Sequence, residues 1–478
     1  MPKKVLTAIF LSLLIIFSFL LPACKEQEII RESSVAGQYY PADGAALRNI
    51  VDELLTKAGS ASPEGRLIAL ISPHAGYVFS GHVAAQGYNR LRARDIKTVI
   101  IIGAAHYHNF KGASVYTKGS WKTPLGTIKI DEKTAASLLN KEAFVDFTPQ
   151  VFDKEHSLEV QIPFIQRVLP DASIVPILTG GLPRETIEYL RERVIGLMSR
   201  DDSIVLVAST DLSHYHDSPT AIGLDTNIAS AISRLSISDI EKHLLAKTGE
   251  MCGVEPVFIA LKVAKGLGAN NGMVFKYADS GDITGDKSKV VGYASIGLYR
   301  SALTAEDKAE LLGLARLAIT EYITEGRLLS EDVKNPKLLS DGAAFVTINR
   351  RGQLRGCMGH AEAVMPLYKS VIRNAIAAAA KDPRFPPMTR SELGDMEIEV
   401  SVLSPLEPVR DIGEIEIGRD GLVIVKDQST GLFLPHVPVE FGWDRETYLR
   451  ELAFKAGLPD GAWKTGATLY KFRAEVIK

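Results

Sequence analysis

Residues 66–82 read RLIALISPHAGYVFSGH. The apolar run Leu67–Ile71 is short, rich in β-formers and bounded by turn residues, which predicts a buried strand. Pro73, His74 and Gly76 then read as a tight loop. That places His74 at the carboxyl end of a strand, the position at which open α/β sheets bind ligands. Thr98–Ile102, Ser173–Leu178 and Ile204–Ala208 repeat the pattern of continuous apolar strands covered on both faces. Helical patterns over Leu47–Lys57, Leu158–Val168 and Arg184–Met198 alternate with them, and Val274–Tyr277 and Val290–Leu298 read as closing strands. The result is an α/β domain with a mainly parallel sheet, running from about Gly37 to Tyr299.

The segment SALTAEDKAELLGLARLAITEYI, residues 301–323, opens a second unit. Thr304 or Ala305 begins a helix with acidic residues in its first turn. Strand-like runs follow at Ala343–Ile348, Ile398–Leu403 and Gly421–Val425, with helices over Leu367–Ala380 and Arg445–Ala456. Strands and helices mix without a βαβ beat, which predicts an α+β domain from Leu303 to Lys478. A chain of 478 residues with 46% hydrophobic and 23% charged residues has the material for two or three full cores. A net charge of -2 gives no support for a nucleic-acid partner held through phosphates. There is no low-complexity tract, heptad run or repeat period.

Lys3 and Lys4, the apolar stretch Val5–Leu21 and LPAC ending at Cys24 form the pattern of a secretory signal peptide over residues 1–23. LPAC resembles a bacterial lipobox, which implies lipidation of Cys24, membrane anchoring through that lipid and a body outside the cytoplasm. Disulfides are permitted there. Cys252 and Cys357 fall in different domains, so a structural bridge between them is not expected.

Eight of the histidines lie in the first domain. His74, His106 and His214, the last with Asp211, each follow a strand run, so three strand ends deliver imidazoles to one edge of the sheet. Neutral imidazole is the commonest metal ligand, and two histidines with a third soft or anionic donor leave positions open for water or substrate. Asp211 and His214 then suit outer-sphere or acid–base work. KEHSLEVQIPF adds His156 and Glu159, one helical turn apart and therefore on one face. Cys252 sits in a turn-like setting, MCGVEP. His82, His108, His216 and His243 read as surface or packing residues. HExxH, CxxC, Walker, dinucleotide-fingerprint and G-x-S-x-G patterns are absent from the sequence. In the second domain GQLRGCMGH sets Cys357 among glycines. Arg355 and His360 are placed to lower its pKa and make it a nucleophile; the other reading is a buried cysteine in a strand or turn.

SPHAGYVFSG, GAAHYHNF, WKTPLG, KEHSLEVQIPF, STDLSHY, MCGVEP and YADSGD occur in the order found in the MEMO family, which residues 34–300 resemble. The resemblance implies a fold similar to the LigB-like extradiol dioxygenases. It also implies one metal, iron or copper with zinc as the alternative, on His74, His106 and Cys252. His106 rather than His108 matches the middle ligand, and Asp211, His214 and His156 match residues lining the family's cleft. Cysteine stands where the dioxygenases have a carboxylate, which softens the site. LRGCMGH, AAAAKDPRFPPM and IEVSVLSP make residues 303–478 similar to AMMECR1. The chain thus looks like a fusion of two components of an AmmeMemoRadiSam system. It has no CxxxCxxC cluster, so a radical-SAM protein would be a separate partner. The function these readings predict is a metal-dependent, dioxygenase-like redox enzyme for a small polar substrate. A non-catalytic metal- or peptide-binding module and a zinc-dependent hydrolase are the alternatives.

Overall fold

The strands predicted around His74 form one sheet. The structure is a computed structural model and describes residues 29–59, 65–92 and 94–478. The signal segment and Cys24 lie outside the described residues. Among those described, no helix is long and apolar enough to cross a membrane.

Strands Arg66–Ser72, Ile204–Ser209, Thr98–Ala104 and Ser173–Thr179 lie side by side and parallel at the centre of a nine-stranded sheet. They extend the predicted runs by a residue or two at the ends, and their side chains are almost wholly buried. Val290–Arg300 adds antiparallel to Arg66–Ser72 and carries Asn271–Asp279 on it. Ala113–Val115 adds antiparallel to Ser173–Thr179. The sheet is therefore parallel in the middle and mixed at its margins. Helices Gly44–Lys57, Tyr77–Tyr88, Arg184–Met198 and Val254–Gly266 join it in a single core from Val35 to Tyr299. Because the central strands run the same way, the loops after Ser72, Ala104, Thr179 and Ser209 all emerge at one edge.

The predicted helix Leu158–Val168 is broken. A single 3-10 turn, Glu159–Gln161, precedes the α-helix Ile162–Val168, whose first turn carries Pro163. His156 lies before both, in irregular chain.

The second domain contains two four-stranded sheets. Gln353–Gly359, Ala343–Arg350, Met396–Leu403 and Ala474–Ile477 form one, packed against helices Ala305–Glu325 and Leu367–Ala380. Glu407–Pro408, Thr468–Phe472, Gly421–Lys426 and Ser429–Phe433 form the other, backed by helix Arg445–Lys455. Ala343, Leu403, Val423, Leu434 and Phe472 join the two.

Candidate metal centre and its cleft

His74 leaves the end of its strand with its backbone N–H donating to Asp211 Oδ1 at 2.7 Å. Its Nδ1 lies 2.9 Å from Ser209 Oγ. Ser209 has one hydroxyl proton and donates it to the Ser157 carbonyl at 2.6 Å, while Gln161 Nε2 donates to the same oxygen at 3.0 Å. Tyr88 Oη donates to Gln161 Oε1 at 2.8 Å, which fixes the orientation of that amide. Ser209 Oγ can therefore only accept from His74, so Nδ1 carries a proton and Nε2 is the nitrogen turned towards the Cys252 sulfur. Cys252 Sγ sits 3.2 Å from that Nε2. Asp211 N–H donates to the same sulfur at 3.2 Å. A Cβ on Gly253 would lie 2.6 Å from the Ser209 carbonyl, so glycine is what lets the Cys252 turn close on the strand end.

His106 is oriented the same way by another partner. Its Nδ1 lies 3.0 Å from Glu155 Oε1, and its backbone N–H donates to Glu155 Oε2 at 2.7 Å. Glu155 is buried and also accepts from the N–H groups of His156 and Ser157, at 3.0 and 2.9 Å. Burial alone would raise this carboxyl, but the bonds from His106 and the backbone outweigh it and hold it below the usual range. Burial likewise works against charge on His106, yet its bonds to Cys252 and Glu155 raise its pKa. A carboxylate that fixes one ring nitrogen and turns the other into the site is the arrangement that orients metal-bound imidazoles.

His156 completes the cluster. Its ring centroid is 5.2 Å from that of His74 and 4.5 Å from that of His106. Burial, then the neighbouring imidazoles, push it down to about 3, so it is neutral at physiological pH. Its Nδ1 is buried without a hydrogen-bond partner. One ligand atom from each of His74, His106 and His156 lies within 4.8 Å of the others. A buried nitrogen without a hydrogen-bond partner, beside two further imidazoles and a thiol, fits a bound metal ion.

The site opens on a cleft of about 720 Å³, lined by His108, Asn109, Lys111, Gly180, Cys252 and Glu255 among others. Tyr39 stacks on His156 at 4.6 Å and 27°. Burial and a hydrogen bond with Tyr107 raise its pKa, so the phenol keeps its proton.

The cluster thus draws together four of the residues singled out in the sequence: His74, His106, His156 and Cys252. Asp211 adjoins it, with Oδ1 committed to the His74 backbone. His214 lies on the short edge strand His214–His216 and faces Glu250: its N–H donates to Glu250 Oε1 at 3.2 Å, and its Nδ1 is 3.8 Å from the same oxygen. Glu159 does not share a face with His156, because the chain between them is not helical. It is buried elsewhere, accepting from the N–H groups of Ser34 and Val35 and from Tyr40 Oη. Glu155, Ser209, Gln161 and Tyr39 were not picked out. Glu155 and Gln161 stand in the quoted motif KEHSLEVQIPF and Ser209 opens STDLSHY, whereas Tyr39 is found only by the fold.

Cys357 lies in the strand Gln353–Gly359. Burial raises its thiol pKa, against the pull of Thr347 and Arg384. The two groups expected to lower it are engaged elsewhere. Arg355 Nε donates to Glu392 Oε1 at 2.8 Å, and the His360 ring nitrogens meet Ser370 Oγ and Asn374 Nδ2 at 3.2 and 3.1 Å.

Both domains match known families. The Memo-like protein family model matches residues 31–297 and the AMMECR1 model residues 312–477. A MEMO1 family protein of Methanopyrus kandleri is 35% identical over 280 residues, 56% of this chain and 99% of that protein. One from Thermotoga petrophila is 34% identical over 279 residues, again 56% and 99%. A solved structure of an uncharacterised protein from Pyrococcus horikoshii is 40% identical, covers 36% of this chain and 92% of its own, and has a TM-score of 0.35.

Proposed function

Given a chain that belongs to the Memo-like protein family and carries an AMMECR1 domain behind it, we propose that the first domain is a metal-dependent redox enzyme acting on a small polar substrate. His74 and His106 hold one iron or copper ion, Cys252 supplies the third donor, and His156 lines the site. The observation that carries this is the saturated Ser209 hydroxyl, which engages His74 through Nδ1–H and leaves Nε2 aimed at Cys252 Sγ, 3.2 Å away. A sulfur donor beside two imidazoles suits iron and copper, and zinc as well. When bound, such an ion supplies redox chemistry and an open coordination position.

The remaining work falls to the protein's own side chains. Lys111 and Glu255 bring charges of both signs to the cleft wall and orient a polar substrate. Tyr39 covers one face of His156 and keeps a proton to donate. Asp211 locks the His74 backbone.

The test is the metal content of anaerobically purified protein beside His74→Ala, His106→Ala, His156→Ala and Cys252→Ser. Near-stoichiometric iron or copper, lost in all but the His156 variant, is the expected result. Retention in Cys252→Ser with loss in His156→Ala would replace the proposed donors by the three-histidine set. Zinc at full stoichiometry would favour hydrolysis, and no uptake on reconstitution would leave a binding cleft. The pattern of Lys3, Lys4, Val5–Leu21 and Cys24 supports work at the cell envelope. Intact mass of the native protein tests this: loss of residues 1–23 with a lipid on Cys24 is expected, and an unprocessed chain would refute it.

A further inference from the structure

The cleft over the candidate metal centre carries two charges that the protein itself does not neutralise. Lys111 and Glu255 line the same cavity of about 720 Å³ as Cys252. They come from separate elements. Lys111 stands on the loop after the strand Thr98–Ala104, and Glu255 on the first turn of the helix Val254–Gly266, three residues beyond Cys252. Among the described residues neither side chain has a hydrogen-bond or ion-pair partner, and the two do not pair with each other. Other charges on that helix are matched: Lys262 meets Glu188 at 2.8 Å and Lys265 meets Asp341 at 2.7 Å. Glu255 is also half-buried, where a carboxylate without a partner costs free energy.

Both charges are held in place. Lys111 Nζ lies 3.7 Å over the Phe144 ring, which steadies the ammonium and leaves its charge intact. The backbone around it is clasped to the end of the strand Ser173–Thr179. Gly112 N–H donates to the Gly181 carbonyl at 3.0 Å, Gly180 N–H to the Gly112 carbonyl at 2.9 Å, and Gly181 N–H to the Phe110 carbonyl at 2.9 Å. A Cβ on Gly180 would collide with that Phe110 carbonyl, so glycine is what lets the two loops close. Glu255 is carried by a helix whose first turn is already wound, with Val257 N–H donating to the Gly253 carbonyl at 3.1 Å. The two charges therefore wait at fixed places, which lowers the cost of ordering them around a ligand.

We infer that the substrate of this cleft is a zwitterion of the amino-acid class, its carboxylate on Lys111 and its ammonium on Glu255. The inference rests on the reading of the cavity as the substrate cleft of the metal site. A simple anion would leave Glu255 unpaired and repel it, and a simple cation would do the same at Lys111. A ligand with both signs makes a charge-assisted bond at each end. Glu255 follows Cys252 within one turn of chain, so the amine end is the one beside the sulfur donor. A cleft of about 720 Å³ leaves room beyond the charged groups for a side chain or a second residue.

Binding of a defined panel to the purified full chain tests it. The probes are the protein amino acids and diglycine, screened by thermal shift and then titrated by calorimetry. The best binder is compared with its N-acetyl derivative and its carboxamide, each of which removes one charge. Each cap is expected to weaken binding by about tenfold or more, the usual worth of a charge-assisted bond. Lys111→Met should abolish the penalty of the carboxamide and keep that of the acetyl cap. Glu255→Gln should do the reverse, and Lys111→Arg should behave as the wild type. No binder in the panel, caps that cost nothing, or variants as selective as the wild type would overturn the inference. Should a variant fail to fold, the caps on the wild type decide alone. Metal content of the same samples separates this inference from the reading it rests on. Full metal with no zwitterion bound overturns the substrate class alone. A zwitterion bound to a chain that takes up no metal overturns the redox enzyme and leaves an amino-acid-binding cleft.

Discussion

At the scale of single residues, the candidate metal centre depends on groups that never touch the ion. Ser209 fixes the tautomer of His74 because its own proton is committed to the Ser157 carbonyl. Ser209→Ala removes the acceptor from Nδ1–H and lets the ring turn or change tautomer. Its expected effect is a fall in metal affinity of about 10–100-fold, the usual consequence of losing an outer-sphere partner, with the fold intact. Glu155→Gln should give a loss of the same order through His106. Competitive metal titration against a chelator, beside circular dichroism, checks both. Wild-type affinity in Ser209→Ala would mean that packing alone orients His74. Neither role was legible in the sequence, since a serine at a strand end and a glutamate beside a histidine are ordinary until the fold brings residues 74, 155, 157 and 209 together.

At the scale of elements, what could be read was what periodicity and capping control. The four central strands were legible because parallel strands covered on both faces are continuous apolar runs. Arg184–Met198 was legible to the residue because Pro183 marks its start and its buried positions, Thr186, Leu190, Val194 and Met198, recur at helical spacing. The stretch 154–161 misled for the complementary reason: its apolar spacing looks helical, but the chain turns before it winds, and Lys154 takes a positive φ of 61°. The helix start was legible as Thr304 or Ala305, and the structure makes Thr304 the cap and Ala305 the first helical residue. Asp307 N–H donates to Thr304 Oγ1 at 3.2 Å, while Thr304 N–H donates to Asp307 Oδ2 at 2.7 Å. Thr304→Ala should destabilise the second domain by about 1 kcal/mol. Asp307 also accepts from Lys337 Nζ at 2.8 Å and Asn335 Nδ2 at 2.7 Å. Burial opposes its charge, but these donors prevail and bring its pKa from an ordinary 3.8 down to about 2. A carboxylate depressed on folding stabilises the native state above its unfolded pKa, and that gain is lost as pH falls from 3.8 towards 2. The stability difference between wild type and Asp307→Asn, from urea unfolding midpoints, should therefore be constant near neutrality and shrink through that acid window. A difference that does not change with pH would show that the carboxylate's charge is not what matters.

At the scale of the whole molecule, the chain is two domains joined by a short, tethered passage. The first core ends at Tyr299 and the second begins at Leu303. The few residues between them are tied down rather than loose: Ser301 N–H donates to Asn270 Oδ1 at 2.9 Å, and Asn270 Nδ2 donates to the Ser301 carbonyl at 2.8 Å. From the second domain, Ser340 Oγ donates to the Asn270 carbonyl at 3.0 Å, and Asp341 Oδ2 meets Lys265 Nζ at 2.7 Å. Both side chains of that ion pair are 29% exposed, so it contributes at most about 1 kcal/mol in water. Its value lies in its place: it links the helix Val254–Gly266, whose N-terminus follows Cys252, to the start of the second domain's sheet. Asp341→Lys replaces attraction by repulsion at this seam. The expected outcome is a pair of calorimetric unfolding transitions set further apart than in the wild type, by about 2–4 °C for each kcal/mol of lost coupling. Metal content should be unchanged, because the ligands' orientation is set within the first domain. If the transitions do not separate but metal is lost, the seam instead supports the Cys252 turn through its helix, and the second domain acts as part of the metal site's scaffold.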